Sequence, residues 1–185
     1  VAERFKQDLV QDLAMCCGGS MELYLEPFSR SADAVAELAR RYRRREESLL
    51  VTPLNDGVKI LRDSTGHERG ARVDGDELVE FISPRVRLLL FGCGHVTRAI
   101  GPVAASTGFE VVVCDDNETG ALDETPAWAS ECVVSFSLRD VERSLGSLGR
   151  GDYVVILTRD HAVDQRILEA ALPRIRELGY LGMIG

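Results

Sequence analysis

The chain has 185 residues, which suffices for one domain or two small ones. With 45% hydrophobic and 28% charged residues, it has the composition of a soluble protein with a packed core. The polar start of the chain shows no signal peptide, and no apolar run approaches the roughly 20 residues that span a bilayer. A formal net charge of −8 argues against sequence-independent binding to nucleic acid.

The cysteines indicate the compartment in which the chain works. There are five, an odd number, and none of them forms a C-x-x-C pair, which argues against a disulfide framework or a zinc site. We therefore expect a reducing cytoplasm, with neither a membrane nor a nucleic acid as a partner. The five are Cys16, Cys17, Cys93, Cys114 and Cys132.

The first half of the chain predicts a small α+β domain. Phe5, Leu9 and Leu13 share one face of a predicted short helix. From Met21 to Glu26, the residues at alternate positions are apolar, which is typical of a half-buried strand. Asn55-Asp56-Gly57 is a hairpin signal between two strands, and Ser83-Pro84-Arg85 marks the end of the domain at residue 84. The predicted elements are helices over residues 1–14 and 32–44 and strands over residues 21–26, 48–53, 58–61 and 77–82.

The second half begins with a specific pattern. The apolar run at residues 88–91 breaks at Gly92-Cys93-Gly94, apolar residues then recur at helical spacing, and Gly108 ends that helix. A β-branched strand over residues 110–114 follows and stops at Asp115-Asp116. Strand, glycine turn, helix, strand and terminal acid are the plan of a dinucleotide-binding Rossmann unit.

The alternation of strand and helix continues, so residues 85–185 are predicted to form a doubly wound, Rossmann-like parallel sheet. The first helix is predicted to bury an apolar stripe that includes Val96 and Val103, with a kink at Pro102. The chain stops in its last strand and loop, and we expect further residues beyond Gly185. The remaining predicted elements are strands over residues 132–136, 153–157 and 180–184 and helices over residues 138–148 and 162–172.

The glycine turn predicts an anion site. Gly92 permits a tight turn, and Gly94 lets the backbone approach a pyrophosphate closely. The free N–H groups where the helix starts, at Cys93-Gly94-His95-Val96, together with the positive end of the helix dipole, favour a bound anion. The alternative is a packed Rossmann module that has kept the turn and lost its ligand.

Two residues of the turn qualify this prediction. Thr97 occupies the place of the third glycine of the fingerprint, which weakens the prediction of ordinary NAD binding. His95 lies at the mouth of the predicted crevice, where an imidazole can bind phosphate, transfer a proton or bind a metal. The alternative for His95 is a polar residue that contacts its own turn.

Polar residues after two other strands fall at the same edge of the sheet. Asp115 and Asp116 are placed to accept hydrogen bonds from a ribose, or else form a solvated strand end. Arg159, Asp160 and His161 follow the fourth strand and are expected to line the crevice opposite the glycine turn. Asp160 is alternatively the cap of the next helix.

Cys16-Cys17-Gly18-Gly19 is the remaining candidate. Cysteines in a glycine-flanked loop can be exposed, and an exposed thiolate can accept sulfur, bind a soft metal or attack an electrophile. The alternative is two small buried residues in a tight turn. No catalytic role and no metal site is assigned to any residue.

Taken together, these motifs resemble the XdhC/CoxI family, the accessory proteins of xanthine and carbon monoxide dehydrogenases. The segment from Cys16 to Pro27 is similar to the N-terminal signature of the family. Residues 88–95, Asp115-Asp116, residues 158–161 and residues 180–185 are similar to its Rossmann half. Cys93 and Thr97 depart from the alanine and glycine that are usual in the family.

The resemblance implies a maturation factor, that is, an accessory or carrier protein for which no catalytic turnover is required. Such a protein binds molybdenum cofactor, as molybdopterin or its dinucleotide form, protects it, supports its sulfuration and delivers it to an apo xanthine dehydrogenase-type molybdoenzyme. A cysteine desulfurase is the implied sulfur donor, and a homodimer is a further expectation. Two other functions stay open, namely an NAD-dependent oxidoreductase with His95 or His161 as proton donor, and a nucleotide-sensing regulatory module.

Overall fold

The computed structural model describes residues 2–16, 18–66 and 68–184. The chain divides into two compact units, one up to Pro84 and one from Arg85 onward. Each unit is described by itself. Every helix in the described part of the chain is too short or too polar to cross a membrane.

The first unit contains a two-stranded and a four-stranded antiparallel sheet. Its elements are β1 (Glu3–Asp8), β2 (Ser20–Leu25), α1 (Ala32–Arg43), β3 (Ser48–Pro53), β4 (Ile60–Asp63), β5 (Ala71–Asp74) and β6 (Glu77–Ile82). The strand order is β1-β2 in one sheet and β4-β3-β6-β5 in the other. The core is small and centres on β3 and β6, where Leu49, Val51 and Val79 are buried against Phe81.

One prediction for this unit is wrong, and one strand was not predicted. Residues 2–14 do not form the helix that was predicted over residues 1–14, because β1 pairs with β2 and places Phe5 opposite Leu23. The side chain of Asp8 then accepts hydrogen bonds from the backbone of Val10 and Gln11, which turns the chain at the end of the strand. Strand β5 was not predicted. Its residues Ala71 to Asp74 alternate between apolar and polar, but the strand has only four residues and all of them are exposed.

The second unit is a parallel five-stranded sheet with helices, which confirms the predicted Rossmann-like fold. Its elements are β7 (Arg87–Phe91), α2 (His95–Ser106), β8 (Glu110–Cys114), β9 (Glu131–Val133), α3 (Leu138–Leu145), β10 (Asp152–Ile156), α4 (His161–Ala171) and β11 (Tyr180–Met183). The strand order is β11-β10-β7-β8-β9. It reverses between β7 and β10, as in doubly wound sheets.

The sheet is buried on both faces, as its continuous apolar strands predict. Alternate residues of β7 point to opposite faces. Leu88 and Leu90 pack with Ala104 of α2, whereas Leu89 and Phe91 belong to the cluster that contains the buried residues of α3 and α4. The helices on the two faces therefore fix β7 at the centre of the unit.

Helix α2 buries a different face from the one predicted. Val96 and Val103 are 46% and 64% exposed, and the residues that α2 buries are Thr97, Gly101 and Ala104. A Cβ atom on Gly101 would lie 2.2 Å from the ring of Trp128. The small residues thus form the inner face because the helix approaches its neighbours closely.

Candidate ligand-binding site

A cavity of about 400 Å³ lies at the carboxyl ends of the strands of the second unit. Ligands of open α/β sheets bind at this edge, where the strand order reverses, and the volume falls within the range of small-molecule sites. Four loops line it: residues 92–96 after β7, Asp115, Thr119 and Ala121 after β8, Phe136 after β9, and residues 157–159 after β10.

Gly92 makes the tight turn that ends β7. Its φ is +107°, in the region that favours glycine. A Cβ atom here would lie 2.5 Å from the carbonyl oxygen of Leu157 and 3.0 Å from Cα of Thr158. The backbone N–H of Gly92 donates to the carbonyl of Cys114 at 2.7 Å. Gly92 therefore brings the loop after β10 against the turn.

Gly94 precedes the first residue of α2 and leaves the start of the helix open. Its backbone is extended, no side chain caps the helix, and a Cβ atom on Gly94 would meet no atom within 4 Å. The first N–H groups of an α-helix have no partner within the helix. Together with the helix dipole they make this open space favourable for an anion.

Thr97 strengthens the turn and does not obstruct the cavity. Its side chain is buried, and its hydroxyl donates to the carbonyl of Gly92 at 2.5 Å. Threonine is bulkier than the third glycine of the fingerprint, which allows helix and strand to approach closely. Its hydroxyl nevertheless occupies this space productively, because it satisfies a carbonyl of the turn.

Cys93 contributes its backbone more than its thiol. The residue is 3% exposed and belongs to a buried cluster with Val113 and Leu122. Burial raises the pKa of the Cys93 thiol, with the carboxylate of Asp115 adding to the effect. The thiol therefore stays protonated near neutral pH and is a packing group.

Asp115 and Asp116 have separate roles. The Asp115 carboxylate is buried and accepts hydrogen bonds from the backbone N–H groups of Cys93 and Asn117, each at 2.8 Å. It ties the glycine turn to the loop after β8. Asp116 is more exposed, accepts a hydrogen bond from the backbone of Glu118 at 3.1 Å, and contacts Arg159.

Arg159 lines the cavity and is paired with two carboxylates. Its guanidinium lies 3.4 Å from the Asp116 carboxylate and 2.6 Å from that of Glu118. The sequence placed Arg159 and Asp116 at one edge of the sheet but gave no indication of Glu118. No local motif distinguishes Glu118 from the other acids of the loop, and only the fold brings it to Arg159.

The other residues after β10 support the loop. Asp160 caps α4, since its side chain accepts the backbone N–H of Ala162 at 2.8 Å. Asp164 is buried and accepts both the backbone N–H and the hydroxyl of Thr158. His161, which was expected to line the crevice opposite the glycine turn, is 89% exposed, with Nδ1 3.5 Å from Asp164, and is not among the residues that line the cavity. Of the two histidines predicted for this site, His95 lines the cavity.

Cys16 belongs to the first unit and is exposed in the segment between β1 and β2. Cys17, its neighbour in the predicted site, lies outside the described residues. The site formed by the two cysteines therefore stays a prediction. Among residues 2–16, 18–66 and 68–184, no three histidine, cysteine or acidic side chains come together as a metal site.

Comparisons with known proteins agree with this architecture. A model of the XdhC Rossmann domain matches residues 88–185. A crystal structure described as a xanthine dehydrogenase from Bacillus halodurans is similar with a TM-score of 0.70 at 21% sequence identity. The similarity covers 100% of this chain and 61% of that chain, and at this identity it shows the shared fold alone. No curated protein matches the chain.

Proposed function

Because the chain belongs to the XdhC family, we propose that it is an accessory protein that binds molybdenum cofactor, protects it and supports its sulfuration. It then delivers the cofactor to an apo xanthine dehydrogenase-type molybdoenzyme. The observation that carries the proposal is the cavity after β7. There the uncapped start of α2 and the Arg159 guanidinium offer hydrogen-bond donors to one anionic group, and Gly94 leaves space for that group.

The residues of the cavity suit the phosphate end of such a cofactor. The N–H groups at the start of α2 would hold a phosphate or pyrophosphate, and Arg159 would neutralise its charge. Asp115 would keep the turn in place through the backbone of Cys93. When bound, the cofactor supplies the metal–dithiolene centre that the recipient enzyme uses, whereas the chain itself binds, orients and shields the cofactor.

Cys16 and Cys17, which belong to the first unit, are proposed to take part in binding the cofactor and in its sulfuration. Exposure of Cys16 in a glycine-flanked loop supports this role, because an accessible thiolate can accept sulfur or bind a soft metal. Replacing both cysteines with serine should lower cofactor retention and activation of the apo-dehydrogenase. Unchanged retention and activation would remove the cysteines from the proposal and leave the phosphate site standing.

The partners belong to the same proposal. An apo-dehydrogenase would accept the cofactor, a cysteine desulfurase would supply the sulfur, and the chain would work in the cytoplasm, as a monomer or a homodimer. The acidic net charge of −8 is compatible with protein and small-molecule partners.

Anaerobic purification followed by pterin fluorescence and molybdenum analysis tests the proposal. We expect both pterin and molybdenum to accompany the chain, and we expect NADH to bind weakly. Tight binding of NADH without pterin or molybdenum would instead support the alternative function, an NAD-dependent oxidoreductase. Asp115 is buried and both its carboxylate oxygens accept backbone N–H groups, so Asp116 is the acid that this alternative would use for the ribose.

A further inference from the structure

Arg159 forms an ionic bridge between two loops at the cavity. Its guanidinium is 46% exposed and contacts Asp116 and Glu118, which are 29% and 73% exposed. Arg159 follows β10, and both acids follow β8. Since β7 lies between β10 and β8 in the sheet, the bridge passes the carboxyl end of β7, where the glycine turn begins.

The bridge and a bound anion need the same guanidinium. Arginine presents five N–H donors in a planar fork, which suits either a carboxylate or a phosphate. Arg159 lines the cavity with the turn of residues 92–96, so an anion that reaches both that turn and Arg159 would compete with Asp116 and Glu118. The two carboxylates would lower the affinity of such an anion by the free energy needed to break their contacts with Arg159.

We propose that Asp116 and Glu118 form an ionic latch on Arg159 and that a diphosphate-bearing ligand opens it by replacing the two carboxylates. The latch rests on the proposed function, because it takes the phosphate site as given and adds the residues that select its ligand. A diphosphate carries enough charge to satisfy both the start of α2 and Arg159. A single phosphate on the helix leaves Arg159 with the acids. The contact with Arg159 would therefore favour a dinucleotide form of the cofactor over a monophosphate form, and the two acids would set the cost of making that contact.

Phosphorus NMR titration of the full chain with inorganic pyrophosphate, and separately with inorganic phosphate, tests the latch at low ionic strength, where exposed charges are least screened. Arg159→Gln should weaken pyrophosphate binding about tenfold or more, because charge-assisted hydrogen bonds are lost. Glu118→Gln should tighten it about two- to fivefold, the range of an exposed ion pair. A role of the bridge in stability alone would instead make both variants bind worse.

A matched control separates the latch from the general effect of removing a negative charge. Glu124 is exposed on the same loop and is not among the groups that Arg159 contacts. Glu124→Gln should leave the affinity within about twofold of wild type. In the Arg159→Gln background, Glu118→Gln should lose its effect, since a double-mutant cycle isolates the coupling between two residues.

The outcomes distinguish the latch from the function on which it rests. Tightening by Glu118→Gln that disappears without Arg159 supports the latch. Binding of pyrophosphate by wild type with no tightening in Glu118→Gln, or with tightening that persists without Arg159, overturns the latch and leaves the proposed function untouched. Failure of every variant to bind pyrophosphate overturns the anion site itself, on which both depend.

Discussion

At the scale of single residues, the two glycines of the turn do different work. Gly92 has a positive φ and no room for a Cβ atom, whereas Gly94 has an extended backbone and open space around it. One glycine is therefore needed for the fold and the other for the ligand.

Alanine at each position should separate these requirements. Gly92→Ala should lower the free energy of unfolding by about 2–4 kcal/mol, since it adds backbone strain to a clash with Leu157. Gly94→Ala should stay within about 0.5 kcal/mol of wild type. Urea unfolding followed by the fluorescence of Trp128, the single tryptophan, reports on the second unit. Equal stability of the two variants would contradict the assignment.

The cysteines should differ in reactivity because their side chains differ in burial. Burial raises the pKa of the Cys93, Cys114 and Cys132 thiols, so these stay protonated near neutral pH. Cys16 is exposed. With iodoacetamide at pH 8, we expect Cys16 to be alkylated at least about tenfold faster than these three. Mass spectrometry of the peptides measures each rate, and fully denatured protein, in which all react, is the control. A Cys93 as reactive as Cys16 would contradict its assignment as a packing group.

Much of the residue-level site could be predicted from the sequence. The turn at residues 92–96 and Arg159 share one cavity because the carboxyl ends of parallel strands meet at one edge. The hydrogen bonds and contacts that each side chain makes could not be predicted. Asp115 accepts two backbone N–H groups and holds the turn in place, and Glu118 contacts Arg159. Neither contact has a local sequence signal, because both depend on which groups the folded loops bring near.

At the scale of elements, burial decided which predictions succeeded. The continuous apolar runs of β7 and β8 lie at the centre of a sheet covered on both faces, and both strands were predicted. The segment that contains β1 has apolar residues at helical spacing, which predicted a helix. Strand β1 is mostly exposed and pairs with β2, and this pairing overrode the local pattern. For helix α2 the helix itself was predicted, but the wrong face was expected to be buried, because its small residues pack inward and its valines face outward.

An ion pair between α3 and the turn after α4 makes the second unit sensitive to acid. A hydrogen bond from Arg174 lowers the pKa of Glu142 below its ordinary value of 4.5, and the backbone N–H of Leu148 adds to the effect. A carboxylate with a lowered pKa stabilises the fold above its unfolded value, and this contribution is lost as the pH falls through the folded value.

Glu142→Gln should therefore flatten the acid side of the stability profile. We expect it to lower the free energy of unfolding by at most about 1 kcal/mol at pH 7, because the pair is partly exposed, and to lose less than wild type on acidification below about pH 4.5. Urea unfolding of both proteins between pH 3 and pH 7 measures the difference. Glu169→Gln, on the exposed side of α4, is the matched control. Parallel profiles for Glu142→Gln and wild type would exclude the contribution.

At the scale of the whole molecule, the sequence predicted the Rossmann-like second unit better than the first. Parallel strands buried on both faces produce long apolar runs, and their helices produce a second regular pattern. Most of the short antiparallel strands of the first unit are exposed on one or both faces, β3 and β6 being the exceptions, so β1 and β5 left weak or misleading patterns. Function at this scale depends on the ligand, which the fold alone leaves open.

The pterin content of the purified chain tests the central claim, that the cavity after β7 holds the phosphate end of molybdenum cofactor. Wild type and Gly94→Ala are produced in cells that make the cofactor and purified without oxygen, and pterin per chain is measured by fluorescence after oxidation. The account predicts pterin in wild type and a several-fold loss in Gly94→Ala at unchanged stability, because a Cβ atom fills the space where the backbone meets the phosphate. Equal pterin in both proteins, or none in wild type, would contradict it.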